Sequence, residues 1–215
     1  MNSKLELLRE EIRKFEAWVA AEHPDLVFGW GEWEAEYPDW EGLYLAALSL
    51  LRVPSDWSNE EIGPLLYVIA RDNETMLLAE EVPKEKLLKL AKAALVSEEN
   101  DAKWQLVERM ESLPFGREVE DLLLQFAADR HEYVRRRALL ALAERRSPHA
   151  ERLAEQAWST GDEYQRMAAL HAFFQIKSHL LQQYLKLAVE DGRQYLTQKA
   201  KDISEAKGEY SDASK

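Results

Sequence analysis

The sequence contains no cysteine, which excludes disulfides and Cys-ligated zinc. It has only 8 glycines and 7 prolines in 215 residues, too few turn formers for an all-β chain. No apolar run reaches the length of a membrane span. Met1 is followed by a charged helical pattern rather than an apolar signal segment, so a cytoplasmic protein is expected. The phosphate loop GxxxxGKS/T, the dinucleotide pattern GxGxxG, the zinc pattern HExxH and the nucleophile elbow GxSxG are all missing. The histidines His23, His131, His149, His171 and His179 include no pair four residues apart on a helix face. No catalytic, cofactor-binding or metal site is therefore expected.

Basic residues are missing from one long stretch. Residues 15–70 carry Arg52 alone against 11 acids, a net charge of −10. The first 14 residues sum to +1 and residues 71–215 to −3, so nearly all of the chain's −12 lies in its first third. A field of that sign repels nucleic acid and draws basic partners at long range. The same stretch holds GWGEWEAEYPDWEGLY, Gly29 to Tyr44, with three tryptophans, two tyrosines and five acids.

The rest of the chain is rich in helix formers: Leu, Ala, Glu, Lys and Arg. Leu5, Leu8, Ile12, Phe15 and Val19 recur at helical spacing behind a Ser3/Glu6 capping pattern, and His23-Pro24 ends that helix. Residues 24–38 read as a long connection. A second helix is expected over Asp39–Arg52, stopped by Val53-Pro54. Ser58 with Glu61 marks the start of a third.

From there the chain is periodic. Tyr133, Tyr164 and Tyr195 are 31 residues apart, as are Ala138, Ala169 and Ala200, and Leu123, Ala154 and Leu185. Arg135 matches Arg166, Gly161 matches Gly192, and Asp129 matches Asp191 across two periods. Asp72 and Asp101 mark two looser copies, with Trp104 near the tyrosine position. Two amphipathic helices per period, repeated, signal an α-solenoid. The expected hairpins span 59–81, 84–112, 116–146, 148–177 and 179–206. The alanines should let second helices approach closely, and the tyrosines should bury their rings with the hydroxyl at the hinge.

Two segments resemble HEAT repeats, the bacterial HEAT-like solenoids in particular. IGPLLYVIARDNET, from Ile62, is similar to a HEAT first helix through Pro64 and Asp72. ADRHEYVRRRALLALAE, from Ala128, is similar to the second helix through Asp129, Val134, Arg135, Ala138 and Leu142. The resemblance covers about 59–206 and implies an all-α, right-handed α-solenoid of about five hairpins preceded by an N-terminal helical cap. It also implies an Asp–Arg ladder between neighbouring repeats, which Thr160 and Thr197 would interrupt. The chain is expected to form one domain, 1–215, with an acidic-aromatic cap (1–58), the repeats (59–206) and a frayed tail (207–215). The first 58 residues carry no resemblance.

Function is then read as a non-catalytic module that binds a basic protein partner, without nucleic acid, membrane or cofactor. An immunity protein or inhibitor that neutralises a toxin such as a nuclease is one concrete form. The contact candidates are Trp30, Glu32, Trp33, Glu34, Glu36, Tyr37, Asp39 and Glu41, because aromatics anchor interfaces and acids steer encounter. Pro38 should divide this run. Trp40 and Tyr44 should turn inward as the start of a capping helix, and Trp30 and Trp33 should lie in a functional loop. The alternatives are a HEAT-like enzyme, either a DNA-repair glycosylase or a pigment-attaching lyase, and an assembly scaffold. The glycosylase alternative would use the arginines at 130, 135, 136, 137, 145, 146 and 152 with Trp104, Trp158 and Asp129.

Overall fold

The computed structural model describes residues 3–25 and 32–212, with side chains described as far as 206. Among the described residues the secondary structure is entirely helical. The chain divides into two compact units, Met1–Pro114 and Phe115–Lys215.

In the first unit α1 (Ser3–Glu22) packs on α3 (Trp40–Leu51) and α4 (Asn59–Arg71), and the one-turn α2 (Trp33–Glu36) sits against α3. Burial of Leu5, Leu8, Phe15 and Val19 follows the apolar spacing of α1. Ser58 caps α4 as expected, its backbone N–H donating to Glu61 at 2.6 Å in a capping box. Pro64 lies inside α4, which runs on to Arg71 despite the lost backbone donor. Asp72 closes α4 and caps the next turn of chain: it accepts from the Thr75 hydroxyl at 2.5 Å and from the Leu78 backbone N–H at 2.6 Å. The second helix of this hairpin, α5 (Leu77–Glu80), is a single turn. A regular hairpin comes after it in α6 (Lys84–Leu95) and α7 (Asn100–Arg109), closed by a 3-10 turn at Met110–Ser112.

The second unit is the periodic one. Its hairpins are α8 (Arg117–Phe126) with α9 (Glu132–Glu144), α10 (Ala150–Ser159) with α11 (Glu163–Gln175), and α12 (Leu181–Asp191) with α13 (Gln194–Asp212). These match the ranges 116–146, 148–177 and 179–206 drawn from the repeat. The second helices pack in series, α9 on α11 and α11 on α13. Ala138, Ala169 and Ala200 are buried at 0, 0 and 1% exposure, in keeping with the close approach their size permits. Leu123, Ala154 and Leu185 are buried one helix earlier in each hairpin. The helix α13 continues past Ala206 to Asp212, so the expected frayed tail is helical backbone over 207–212. Residues 213–215 lie outside the described residues.

The repeat tyrosines depart from expectation. Tyr164 and Tyr195 are 49% and 58% exposed rather than ring-buried. Each sits in the first turn of its helix, where its ring lies beside the hinge and not under it. Tyr133 and Tyr164 instead flank the Arg136 guanidinium, at 4.5 and 5.0 Å from the ring centroids, as a surface cation–π stack.

The Asp–Arg ladder forms where both partners are present. Arg166 of α11 pairs with Asp191 at the end of the next first helix. Arg193 joins it at 2.6 Å. Hydrogen bonds from Arg193, with Arg166 adding, hold the Asp191 carboxyl down to about 2. One period earlier the acceptor position is Thr160, and Arg135 turns back to the carbonyl oxygens of Asp129 and Arg130 at 2.9 and 2.8 Å. Thr160 makes local bonds, its hydroxyl donating to the Ala157 carbonyl at 2.7 Å and accepting from the Asp162 N–H at 3.3 Å. Asp129 accepts from the His131 N–H at 2.7 Å in the same way. Thr160→Asp should therefore retain the turn and add the missing rung. We expect a gain of up to about 1 kcal/mol in urea unfolding, absent when Arg135→Met is also present. A loss of stability in the single variant would show that the gap is structural.

Candidate functional site

The acidic-aromatic segment is organised by α1. Phe15 is fully buried and receives the edges of Trp33 and Tyr37, at centroid distances of 5.5 and 5.2 Å with interplanar angles of 87° and 80°. Trp18, one turn on, lies 6.3 Å from Trp33 and 5.2 Å from Tyr37. His23 sets its ring against Trp18 and Trp33. Edge-to-face contacts of this kind add about 0.5–1.5 kcal/mol per pair beyond burial. Trp33 is 2% exposed and Tyr37 7% exposed, so both belong to the core. This corrects the expectation that Trp33 is a loop contact and removes Trp33 and Tyr37 as surface anchors. Trp30 lies outside the described residues.

Trp40 and Tyr44 turn partly inward. Both are only half-buried, and Leu45 beside them is 52% exposed. Trp40 and Tyr44 lie one turn apart on α3 and so share a face. Burial pushes the Tyr44 phenol up, with the charges of Glu81 and Asp72 adding. Asp39 precedes α3, and its carboxylate folds over Gly42, where a Cβ would lie 2.9 Å from the Asp39 Oδ1. A larger residue at 42 would push this acid away.

The acids fall into two groups. Glu32, Asp39 and Glu41 are exposed and make no ion pair among the described residues. Glu36 is exposed and lies 3.5 Å from the His23 Nε2. Glu34 is structural. Its Oε1 accepts from the backbone N–H groups of Glu74 and Thr75 at 2.8 and 3.3 Å, tying α2 to the turn between α4 and α5. Arg52, the lone base of residues 15–70, is paired with Glu81 at 2.8 Å.

The arginines cast for nucleic acid do not assemble into a free patch. Arg135 is bound to backbone carbonyls, Arg136 sits between two tyrosines beside Glu132, and Arg145 lies over the Phe115 ring. Trp158 is buried against Tyr184 and under the Arg166 guanidinium. Trp104 is buried and donates to Asp101 at 2.9 Å. Asp129 serves the hinge. Among the described residues no cluster of His, Cys, Asp and Glu is arranged to hold a metal. No described helix is long and apolar enough to cross a membrane.

One site had no sequence signal. A cavity of about 480 Å³ opens between α5, α7 and the 3-10 turn, lined by Met76, Ala79, Glu80, Gln105, Glu108, Arg109, Glu111 and Ser112. Gln105 is 2% exposed, and its amide N–H donates to the Ile69 carbonyl at 2.8 Å. Its Oε1, the Arg109 Nε and the Ser112 hydroxyl are buried without a hydrogen-bond partner. Each such group costs about 1–3 kcal/mol unless something fills it. Gln105 could have been noticed only as a polar residue in a helix whose neighbours, Ala102 to Val107, are all core.

The order of packing defines the class: an all-α protein of helical hairpins, with second helices contacting one another in series. Residues 119–201 match the family model of HEAT repeats. No curated protein and no solved structure matches the chain.

Asp72 gives this region a pH dependence. It is fully buried, and burial, with the Glu34 charge adding, raises its carboxyl to about 6 against the hydrogen bonds from Thr75 and Leu78. The folded state thus holds a proton that the unfolded chain releases near pH 3.8. The resulting stability is complete below that pH and is lost as pH rises to about 6, an effect on the order of 3 kcal/mol. Glu34→Gln keeps an acceptor for the Glu74 and Thr75 N–H groups and removes the charge. Denaturant unfolding across pH 4–7 should show a smaller fall with pH in this variant than in wild type. Parallel curves would sink the coupling.

Proposed function

We propose that the protein binds a basic protein partner, and that the contact lies on the N-terminal unit around α3. The observation that carries this reading is the set of exposed acids without an ion pair among the described residues, Glu32, Asp39 and Glu41, together with the half-buried rings of Trp40 and Tyr44 and the exposed Leu45. The acids speed encounter with a cationic surface, and the rings and leucine supply area to bury. The HEAT repeats support the broader assignment as an interaction module. In its sharper form the partner is a basic toxin such as a nuclease, and this protein is the immunity protein that covers it. The net charge of −10 over residues 15–70 supports that form. The nucleic-acid enzyme is disfavoured, because its cast of aromatics is buried and Arg135, Arg136 and Arg145 are engaged.

The test reverses exposed charges that hold no backbone group. Glu32→Lys, Glu36→Lys and Glu41→Lys together, with Glu34 left intact, should preserve folding by circular dichroism. Affinity capture from the native host at about 150 mM salt should then lose the basic proteins that wild type retains, by tenfold or more. Equal recovery by the triple variant would sink this reading. A second variant, Trp40→Ala with Leu45→Ala, should weaken capture with little change in its salt dependence.

A further inference from the structure

Two carboxylates meet at the turn after α4, and Thr75 holds both. Its backbone N–H donates to the Glu34 Oε1 at 3.3 Å, and its hydroxyl donates to the Asp72 Oδ1 at 2.5 Å. Asp72 is fully buried, and its Oδ2 takes the Leu78 N–H at 2.6 Å. The other oxygen of Glu34, Oε2, is buried with no donor to bond it. Ionised carboxylates only accept, so two ionised groups here leave that oxygen unsatisfied beside a like charge. One proton removes both penalties, because a protonated Asp72 donates to the Glu34 carboxylate that lies within its hydrogen-bonding reach. The groups around the pair bring no cation to it. Glu34 faces Asp72 from α2 and the Tyr44 phenol faces it from α3, while Arg52 and Glu81, near Tyr44, pair with each other. Arg71, next in the chain, is engaged by the Tyr67 carbonyl and by Glu99.

We propose that a proton shared between Glu34 and Asp72 is a latch that holds α2 on the turn between α4 and α5, and that loss of this proton releases α2. With the latch closed, the Glu34 Oε1 keeps the Glu74 and Thr75 N–H groups. With both acids charged, one of them has to leave. Asp72 is enclosed and tied to two donors, whereas Glu34 is only half-buried and sits on a helix of a single turn with no side-chain cap. Glu34 is therefore the group that moves to water, and such a short helix has little stability of its own to resist. Trp33 goes with it and draws its ring from the edge-on contact with Phe15. Burial, with the Glu34 charge adding, raises the Asp72 carboxyl to about 6. The latch is thus closed below that pH and opens as pH rises through it. The device does not depend on what α3 binds.

The experiment follows the full chain, labelled with ¹³C and ¹⁵N, by NMR from about pH 4.5 to 8. The side-chain carboxyl carbons of Glu34 and Asp72 should titrate together with a midpoint near 6, and the amide protons of Glu74 and Thr75 should shift with the same midpoint. Protection of those two amides from solvent exchange, taken against the intrinsic rate at each pH, should fall roughly tenfold between pH 5 and pH 7.5. Cross-peaks between the Phe15 and Trp33 rings should weaken over the same range. Asp72→Asn replaces the proton by an amide that can always donate to Glu34, so protection should stay within about twofold across the range. Glu34→Gln donates from its own amide to an ionised Asp72, so Asp72 should titrate at lower pH and protection should again stay flat. If Asp72→Asn does not fold, Glu34→Gln, at the less buried position, carries the test. Separate midpoints for the two carboxyls, protection that does not change across pH 6 in wild type, or an undiminished fall in Glu34→Gln would overturn the proposal.

Discussion

A hairpin of two short amphipathic helices leaves one face of its second helix uncovered, and everything else in the periodic unit answers that fact. The cover is the next second helix, and the condition is a small side chain where the two backbones meet. Ala138, Ala169 and Ala200 fill that position on α9, α11 and α13. Volume lost to alanine is made up beside it by large rings, with Phe173 stacked on Tyr184 at 4.4 Å and Trp158 set edge-on to the same ring at 5.0 Å. Polar groups then fix the spacing from outside the core. The Ser147 hydroxyl donates to Glu120 at 2.6 Å, and Ser178 repeats the contact to Glu151 one period later. The salt-bridged rung of Arg166 and Asp191 adds direction to a contact that apolar packing alone would let slide.

The N-terminal unit meets the same need without a repeat. Its first helix presents Phe15 and Trp18 to α2 and the turn after it, and the rings of Trp33 and Tyr37 close edge-on over Phe15. Trp57 does similar work at the next connection. Its indole N–H donates to the Leu50 carbonyl at 3.1 Å, and the Lys86 ammonium lies 4.9 Å over its ring. Lys86 also donates to the Ser55 carbonyl at 2.6 Å. This buried lysine thus meets carbonyl oxygens and a ring face.

Legibility in the sequence depended on whether the signal was periodic. A 31-residue spacing kept by tyrosine, alanine and leucine set the last three hairpins to within a few residues, because the spacing counts every position of both helices and both turns. The helix ends were harder. After α9 and α11 the chain turns through a left-handed residue, Arg146 at φ 54° and Lys177 at φ 56°, and no glycine marks either place. The bonds from Ser147 N–H to Leu142 and from Ser178 N–H to Phe173 hold those turns, so the sequence signal is the serine next in the chain. Among the aromatics, Trp33 and Tyr37 lie in the core where contacts were expected. Spacings of three and four between Trp33, Tyr37, Trp40 and Tyr44 place rings on one helix face, but burial is decided by what faces them. Phe15 and Trp18, which face Trp33 and Tyr37, lie outside the Gly29–Tyr44 stretch. The cavity beside α7 was illegible for a different reason: a glutamine, an arginine and a serine are common surface residues, and only burial makes them unusual.

The acids of the first third show why composition alone overstates a binding surface. A charge of −10 in one stretch implies a field, yet the field is built from groups with different duties. Glu34 is spent on two backbone N–H groups, and Glu61 on the cap of α4. Asp72 is enclosed entirely, where the repulsion of Glu34 adds to the cost of its ionisation. These acids cannot be exchanged for lysine without loss of structure, whatever the partner. Glu32 and Glu41 carry charge and make no contact that the described residues reveal, while Asp39 folds over Gly42 and its charge acts on Lys14 and Tyr37. An exposed acid that holds no backbone group is free to face a cationic partner, and that difference in duty, more than the total charge, separates the contact candidates from the rest.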